Sequence, residues 1–375
     1  MSTESGAKLL GRARRLTVKV GSSLLLPERN RLDAAWLDSL VADLAALGAQ
    51  GREIVVVTSG AIAFGRGVLG LRDGTLRLEE KQAAAAVGQI GLAQAWQASL
   101  ARHGLQAAQI LLTLDDTENR RRYLNGRATL EALIRLRVVP VVNENDTVAT
   151  TEIRFGDNDR LSARVAVMAS CNVLVLLSDV DGLYTGDPRR DPEAVHVPVV
   201  NAMTPMIQAM AGGSGSAVGT GGMITKLAAA EIATGAGCAV VLASGRGHHP
   251  LRRLQDGERC TLFKARATPR RARKDWLAGR LDAMGTLVLD DGAVRALLRG
   301  GSLLPAGVRR VEGSFGKGDA VLLQAPDGRV IAKGLCSYDA ADAVLIAGCR
   351  TEDIETRLGY RGRNELVHRD DLVLL

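Results

Sequence analysis

The sequence predicts an α/β protein: a three-layer αβα sandwich around a mainly parallel central sheet, followed by a small β-rich domain at the C-terminal end. Three observations lead there. Up to about residue 245, short β-branched runs alternate with stretches of helical periodicity. The runs are continuously apolar, as in strands buried on both faces by flanking helices. After about residue 275 the strands become shorter and half-polar, with turn residues between them.

The apolar runs are Leu16–Val20, Ile54–Val57, Ala108–Leu112, Val138–Val142, Val173–Leu177 and Ala239–Leu242. Between the first two, Trp36, Leu37, Leu40, Val41, Leu44 and Leu47 recur at helical spacing, and Gly48 and Gly51 mark the helix end. Segments 81–101, 120–137, 160–170 and 225–235 read as further helices. In parallel sheets of this kind ligands bind beyond the C-terminal ends of the strands. The polar residues that follow each run are therefore the candidates for function.

The second region carries turn signals at Asp290-Asp291-Gly292, at Gly316-Lys317-Gly318-Asp319 and at Pro326-Asp327-Gly328. Ala320–Leu323 and Arg329–Gly334 flank the last of these and read as a hairpin. The boundary is expected in a basic stretch: residues 264–274 hold six lysines and arginines and no acid. That run is either a solvated linker or a contact for a polyanion. The expected division is 1–265, a basic linker 266–274, and 275–375.

Composition narrows the classes. Of 375 residues, 46% are apolar, 24% charged and only 3% aromatic, so a sizeable core must be built from Ala, Val, Leu and Ile. The uncharged stretch 203–225 is rich in Gly, Ser and Thr and cannot serve as a membrane span. Residues 1–15 are polar and basic, and no secretory signal is expected there. A soluble cytoplasmic protein follows as the expectation. The five cysteines form no CxxC pair, which argues against a zinc site and a disulfide framework. Cys171 and Cys238 adjoin apolar runs and are expected in the core.

Several strand ends carry chemistry. The first leads into Lys19-Val20-Gly21-Ser22-Ser23, either an ordinary lysine before a turn or a phosphate contact. The second ends in Thr58-Ser59-Gly60-Ala61, whose small residues open a helix with free N–H groups suited to a carboxylate. The fourth runs into Asn143-Glu144-Asn145-Asp146, and Phe155-Gly156-Asp157-Asn158-Asp159 follows shortly. Helix capping accounts for one or two of these polar residues, not for two dense clusters. The fifth ends in Ser178-Asp179-Val180-Asp181-Gly182, either a capped turn or a nucleotide pocket. Finally Gly219-Thr220-Gly221-Gly222-Met223-Ile224-Thr225-Lys226 is either a flexible linker or a polyphosphate cradle at a helix start. It is not a P-loop, because Lys226 follows Thr225 rather than a glycine.

Together these blocks resemble the amino-acid kinase family. KVGSS, VTSGAIA, KQAAAAVGQIGL, QILLT, PVVNENDTVAT, FGDNDRLSA, LLSDVDGLYTGDP and GTGGMITK stand in that family's order and spacing over nearly the whole chain. The C-terminal region resembles a PUA domain, a pseudo-barrel also found in RNA-modifying enzymes. The resemblance implies the amino-acid kinase fold and an ATP- and Mg²⁺-dependent kinase. It also implies the branch that phosphorylates the γ-carboxylate of L-glutamate as the first step of proline biosynthesis. It places Lys19 and Lys226 on the transferring phosphoryl group, with Asp159 positioning them. It places Ser59, Asp146 and Asn158 on glutamate. Lys19, Ser178, Asp179, Thr220, Gly221, Gly222, Met223, Ile224, Thr225 and Lys226 fall on the family's ATP positions. Position 178 is Ser where Thr is often found, and both supply a hydroxyl. Feedback inhibition by proline and a homo-oligomer, dimer or tetramer, are further implications. Kinases for acetylglutamate, aspartate, carbamate or UMP share the phosphate chemistry. The asparagine- and aspartate-rich clusters favour an acceptor with a free ammonium. An RNA-binding factor is the alternative from another class, supported by the PUA-like end and the basic stretch.

Overall fold

In the structure, a computed structural model, all six apolar runs are strands. It describes residues 6–27, 31–71, 74–148, 157–211, 222–269, 271, 272, 274, 277 and 282–375. The chain divides into two compact units, Met1–Pro269 and Arg270–Leu375.

The first unit opens with α1 (Gly6–Arg12), β1 (Arg15–Val20), a short α2 (Ser22–Leu25), α3 (Ala34–Ala49) and β2 (Glu53–Val57). The helix pair α4 (Ala61–Val68) and α5 (Leu78–Ala101) follows, then β3 (Gln106–Leu112), α6 (Leu114–Glu118), α7 (Arg120–Arg135) and β4 (Val138–Glu144). Next come α8 (Asp157–Met168), β5 (Val173–Ser178) and three very short strands, β6 (Leu183–Tyr184), β7 (His196–Val197) and β8 (Val199–Val200). The unit ends with α9 (Pro205–Ala209), α10 (Met223–Gly235), β9 (Ala239–Ser244), α11 (Pro250–Gln255) and β10 (Cys260–Phe263).

One sheet of eight strands has the order β3-β4-β2-β1-β5-β9-β10-β8. Neighbours run parallel except at the β9–β10 joint, where the direction reverses. β1 lies inside the sheet, not at its edge. From β1 the chain builds outward on one side through β2, β3 and β4, then crosses to β5 and builds on the other side. The switch therefore falls between β1 and β5, where open α/β sheets form a crevice at their C-terminal ends.

The pleat sorts the core into two layers. Leu16, Val18 and Val20 face Trp36, Leu40 and Leu44 of α3 and Leu251 of α11. On the opposite face, Leu174, Leu176, Val240 and Leu242 pack with Leu161 and Val165 of α8 and Leu227 and Ala230 of α10. Each fully buried Leu or Val contributes roughly 1.5–3 kcal/mol by leaving water. Cys171 and Cys238 are buried in the second layer, as expected of small apolar side chains. On β1, Thr17 and Lys19 alternate with Leu16, Val18 and Val20, so Lys19 is turned toward the α8 and α10 layer.

α4 and α5 touch backbone to backbone. A Cβ on Gly65 would lie 1.8 Å from the Ala84 carbonyl oxygen, and one on Gly88 1.9 Å from that of Ala61. Only glycine permits that approach, which gives the glycines of the α4 and α5 segments a packing role.

The second unit holds a five-stranded mixed sheet, β12 (Val308–Gly313), β11 (Gly285–Leu289), β13 (Ala320–Gln324), β14 (Val330–Leu335) and β15 (Leu372–Leu374), in that order across the sheet. β13 and β14 form the expected hairpin, antiparallel with Ala320 opposite Leu335. Its core is Leu287, Leu297, Leu303, Val321, Leu323, Ile346 and their neighbours. The Asp290-Asp291-Gly292 signal is not a turn between strands. It starts a helix, Asp291–Leu298, whose N-cap Asp290 accepts the Ala293 N–H at 2.7 Å. An aspartate followed by small residues serves a turn or a cap equally well. Here the cap prevails because Val294 and Leu297 reach the core.

Candidate active site

Register places the candidate residues around β1. Lys19 lies opposite Val57 of β2, and Val57 opposite Val142 of β4. On the other side, Val20 lies opposite Leu177 of β5, and Ser178 opposite Ser244 of β9. All these strands are parallel, so Ser59, Asp146 and Ser178 leave the same edge of the sheet. Ser59 and Asp146 are on one side of β1, Ser178 and Asp179 on the other, and Lys19 sits at the seam.

Asp159 from α8 and Lys226 from α10 meet Lys19 there. The Lys19 ammonium lies 2.6 Å from Asp159 Oδ1, and that of Lys226 3.4 Å from Oδ2. The Thr225 hydroxyl lies 2.8 Å from the same Oδ2. The Asp159 side chain is only 1% exposed. Burial by itself pushes its carboxyl pKa up, but the charges of Lys19 and Lys226 and the hydrogen bonds outweigh it, and the group is held below the usual carboxylate range. Two buried ammoniums converge on this one carboxylate, an arrangement suited to a polyanion.

α10 begins at Gly222, which has no side chain to cap it, and the first N–H groups of a helix suit an anion. Met223, Ile224, Thr225 and Lys226 form the first turn of this 13-residue helix. Thr220 and Gly221 lie outside the described residues. On the β5 side, the Ser178 hydroxyl donates to Asp179 Oδ1 at 3.0 Å, and Asp179 is exposed beyond the strand end. Asp181 is used internally: it accepts from the Tyr184 hydroxyl at 2.9 Å and pairs with Arg259 at 3.5 Å.

On the acceptor side, the buried Ser59 donates to the Val20 carbonyl at 2.9 Å, which ties the end of β2 to the end of β1. Gly60 follows with φ of 103°, a conformation that glycine adopts without strain, and opens α4 without a side-chain cap. Asp146 is buried just past β4. Asn158, the second residue of α8, has a buried Oδ1 with no partner among the described residues. An acceptor left so in a crevice is suited to a ligand's donor.

Two supports for these strand ends lie beyond what the motifs alone reveal. Asn143 donates to Gln89 Oε1 of α5 at 2.7 Å, and the Trp96 indole N–H of α5 reaches the Thr58 hydroxyl at 3.3 Å. α5 therefore braces both the β4 and β2 ends. The only hint in the sequence is that Gln89 lies next to Gly88, the point of closest approach.

Residues 14–244 match the amino acid kinase family and residues 285–358 the PUA domain. The chain belongs to the amino acid kinase family and is a kinase. It is 57% identical over 366 residues to the glutamate 5-kinase of Paramagnetospirillum magneticum, covering 97% of this chain and 99% of that protein. It is 57% identical over 365 residues to glutamate 5-kinase 1 of Mesorhizobium japonicum, with 97% of each chain covered. The glutamate 5-kinase of Rhodospirillum rubrum is 58% identical over 358 residues, covering 95% of this chain and 96% of that protein.

Proposed function

We propose that this chain transfers the γ-phosphoryl group of ATP to the γ-carboxylate of L-glutamate, giving L-glutamyl 5-phosphate and ADP, the first step of proline biosynthesis. The observation that carries the reading is the Asp159 carboxylate, buried between ammoniums from two different elements at the switch point of the sheet. Phosphoryl transfer needs positioning and charge neutralisation more than covalent chemistry. Lys19 and Lys226 supply the charge, each ammonium carrying three N–H donors. Asp159 holds the two at a fixed separation. Ser178, Asp179 and the segment from Thr220 to Lys226 take the nucleotide.

Glutamate lies on the β2 and β4 side. The Asp146 carboxylate pairs with its α-ammonium, and the Ser59 loop and the start of α4 supply donors to its α-carboxylate. Asn158 serves either group through Oδ1 or its amide N–H. Mg²⁺ enters with the ATP phosphates. Among the described residues no group of three His, Cys, Asp or Glu side chains could hold a metal alone, and phosphate-borne Mg²⁺ needs no such cage. Proline keeps the α-carboxylate and an ammonium and lacks the γ-carboxylate, so it competes with glutamate without being phosphorylated.

The remaining assignments belong to the same reading. Residues 1–265 are catalytic, 266–274 a basic linker, and 275–375 the PUA-type domain. The protein is a cytoplasmic homo-oligomer. An RNA contact through the second domain is supported by its PUA-type fold and by the basic run at 264–274 that precedes it. No helix among the described residues is long and apolar enough to cross a membrane.

A panel of acceptors in a hydroxamate-trapping assay tests the reading. Glutamate is expected to support Mg²⁺-dependent acyl phosphate formation, with proline competitive against it. Turnover of acetylglutamate or aspartate with none of glutamate would refute it. Asp146→Ala should raise the glutamate KM about 10- to 100-fold, as expected for a charged hydrogen bond made both before and during transfer. A raised ATP KM with an unchanged glutamate KM would move Asp146 to the other pocket.

A further inference from the structure

Thr225 joins two parts of the site. It is the third residue of α10, beside Lys226, and its Oγ1 lies 2.8 Å from Asp159 Oδ2 and 2.9 Å from the Gly222 carbonyl oxygen. Both of these atoms are acceptors, and a hydroxyl has one proton to give. The carboxylate is the stronger acceptor, because the bond to it is charge-assisted. The proton therefore goes to Asp159.

We infer that Thr225 is a positioning residue: its hydroxyl fixes the rotation of the Asp159 carboxylate, so that Oδ1 faces Lys19 and Oδ2 faces Lys226. This rests on the reading above, in which the two lysines carry phosphoryl transfer. The last torsion of an aspartate is broad and soft, so the carboxylate needs an external restraint. The lysines are poor restraints for each other. Lys19 is close at 2.6 Å and Lys226 loose at 3.4 Å, so the tighter pair alone would draw the carboxylate toward β1. An arriving phosphoryl group also competes for both ammoniums, since each is a point charge on a flexible stem. A neutral hydroxyl is not drawn away in that manner, and its β-branched side chain is stiff at χ1. Thr225 thus holds Oδ2 in place while the lysines share their donors with the substrate. Because it belongs to the same helical turn as Lys226, it also sets the distance between α10 and α8.

The test is a double-mutant cycle with Thr225→Val, which keeps the shape and removes the hydroxyl, in wild-type and Asp159→Asn backgrounds. Thermal melts confirm that each variant is folded, and Thr225→Ser supplies a second variant that retains the hydroxyl. Steady-state kinetics are measured for both substrates. Thr225→Val should lower kcat about 10- to 100-fold, the cost of a lost bond to a charged group, with both KM values changed less than about threefold, because the nucleotide meets this first turn of α10 through backbone N–H groups that the substitution keeps. Thr225→Ser should recover most of the rate. In the Asp159→Asn background, Thr225→Val should cost less than about threefold further. Three results would overturn the inference: an equal loss in both backgrounds, a raised ATP KM at unchanged kcat, or Thr225→Ser as slow as Thr225→Val. If Asp159→Asn itself keeps its kcat, the underlying reading of Asp159 is wrong too. A slow Asp159→Asn with additive losses removes only the role of Thr225.

Discussion

Asp43 and Asp159 are both nearly sealed from solvent, with side chains 2% and 1% exposed, yet they are held in different ways. Asp43 lies on α3, in the core layer across the sheet from Asp159. Its Oδ2 accepts the backbone N–H groups of Leu251 and Arg252 at 3.1 Å each, and Oδ1 meets His249 Nδ1 at 2.9 Å. It therefore caps the start of α11 from a neighbouring helix. His249 itself sits at φ 54°, held by its N–H bond to the Ser39 hydroxyl at 3.1 Å. Nearby the Trp36 indole N–H donates to the Gly245 carbonyl at 2.7 Å. The backbone donors on Asp43 cannot turn to a ligand without unwinding a helix. Among the described residues Asp159 has no such donors. Its partners are two lysine ammoniums and a hydroxyl at a crevice, which can serve a substrate while still holding the carboxylate. Burial alone does not mark a reactive group; the freedom of its partners does.

Three changes sharpen or break the contrast. The largest effect is expected on the Asp159 side. Lys19→Ala or Lys226→Ala removes one fixed positive donor from the transition state, and kcat should fall about 10²–10³-fold. An unchanged kcat for either variant would take that lysine out of the reaction. On the other side of the sheet, Asp43→Asn keeps the shape but removes the charge that two backbone donors share. It should lower Tm by about 3–10 °C, as expected from a weakened buried network in a unit of this size, and leave kcat within about twofold. A large kcat loss at full stability would mean that Asp43 reaches the chemistry.

The smallest effect is on acid stability. The Asp159 carboxyl is held below its unfolded value, so its contribution is complete above an ordinary carboxylate pKa of about 4 and is lost as pH falls through the folded value. The stability difference between wild type and Asp159→Asn, read from urea melts, should stay constant from about pH 8 to 5. It should shrink only below about pH 4. A difference that already fades above pH 5 would contradict the depressed pKa.

Much of this was legible from the chain. The six apolar runs became β1, β2, β3, β4, β5 and β9 because a strand buried on both faces has to be continuously apolar. β8 and β10 were not, since Val199–Val200 and the four residues Cys260–Phe263 are too short to show a period. The reversal at β9–β10 leaves no mark on composition. In the site, the resemblance already had Asp159 positioning Lys19 and Lys226, but the motifs carry nothing of the distances between them or of the residues that brace them. The Thr225–Asp159 bond spans 66 positions and the Gln89–Asn143 bond 54, and such pairings are set by how α8, α10 and α5 dock. Gly65 and Gly88 show the same limit: a glycine inside a helix suggests weakness until the facing backbone is known.

The central claim is that Asp159 acts on the reaction by holding two lysines, whereas Asp43 only holds the fold. The kcat of Asp159→Asn tests it most directly, measured with saturating ATP, Mg²⁺ and glutamate well below the melting temperature, beside Asp43→Asn. The account predicts a loss of about 100-fold for Asp159→Asn, because an amide cannot hold two ammoniums as a carboxylate does, and a near-normal kcat for Asp43→Asn. A folded Asp159→Asn enzyme that turns over at the wild-type rate would contradict it.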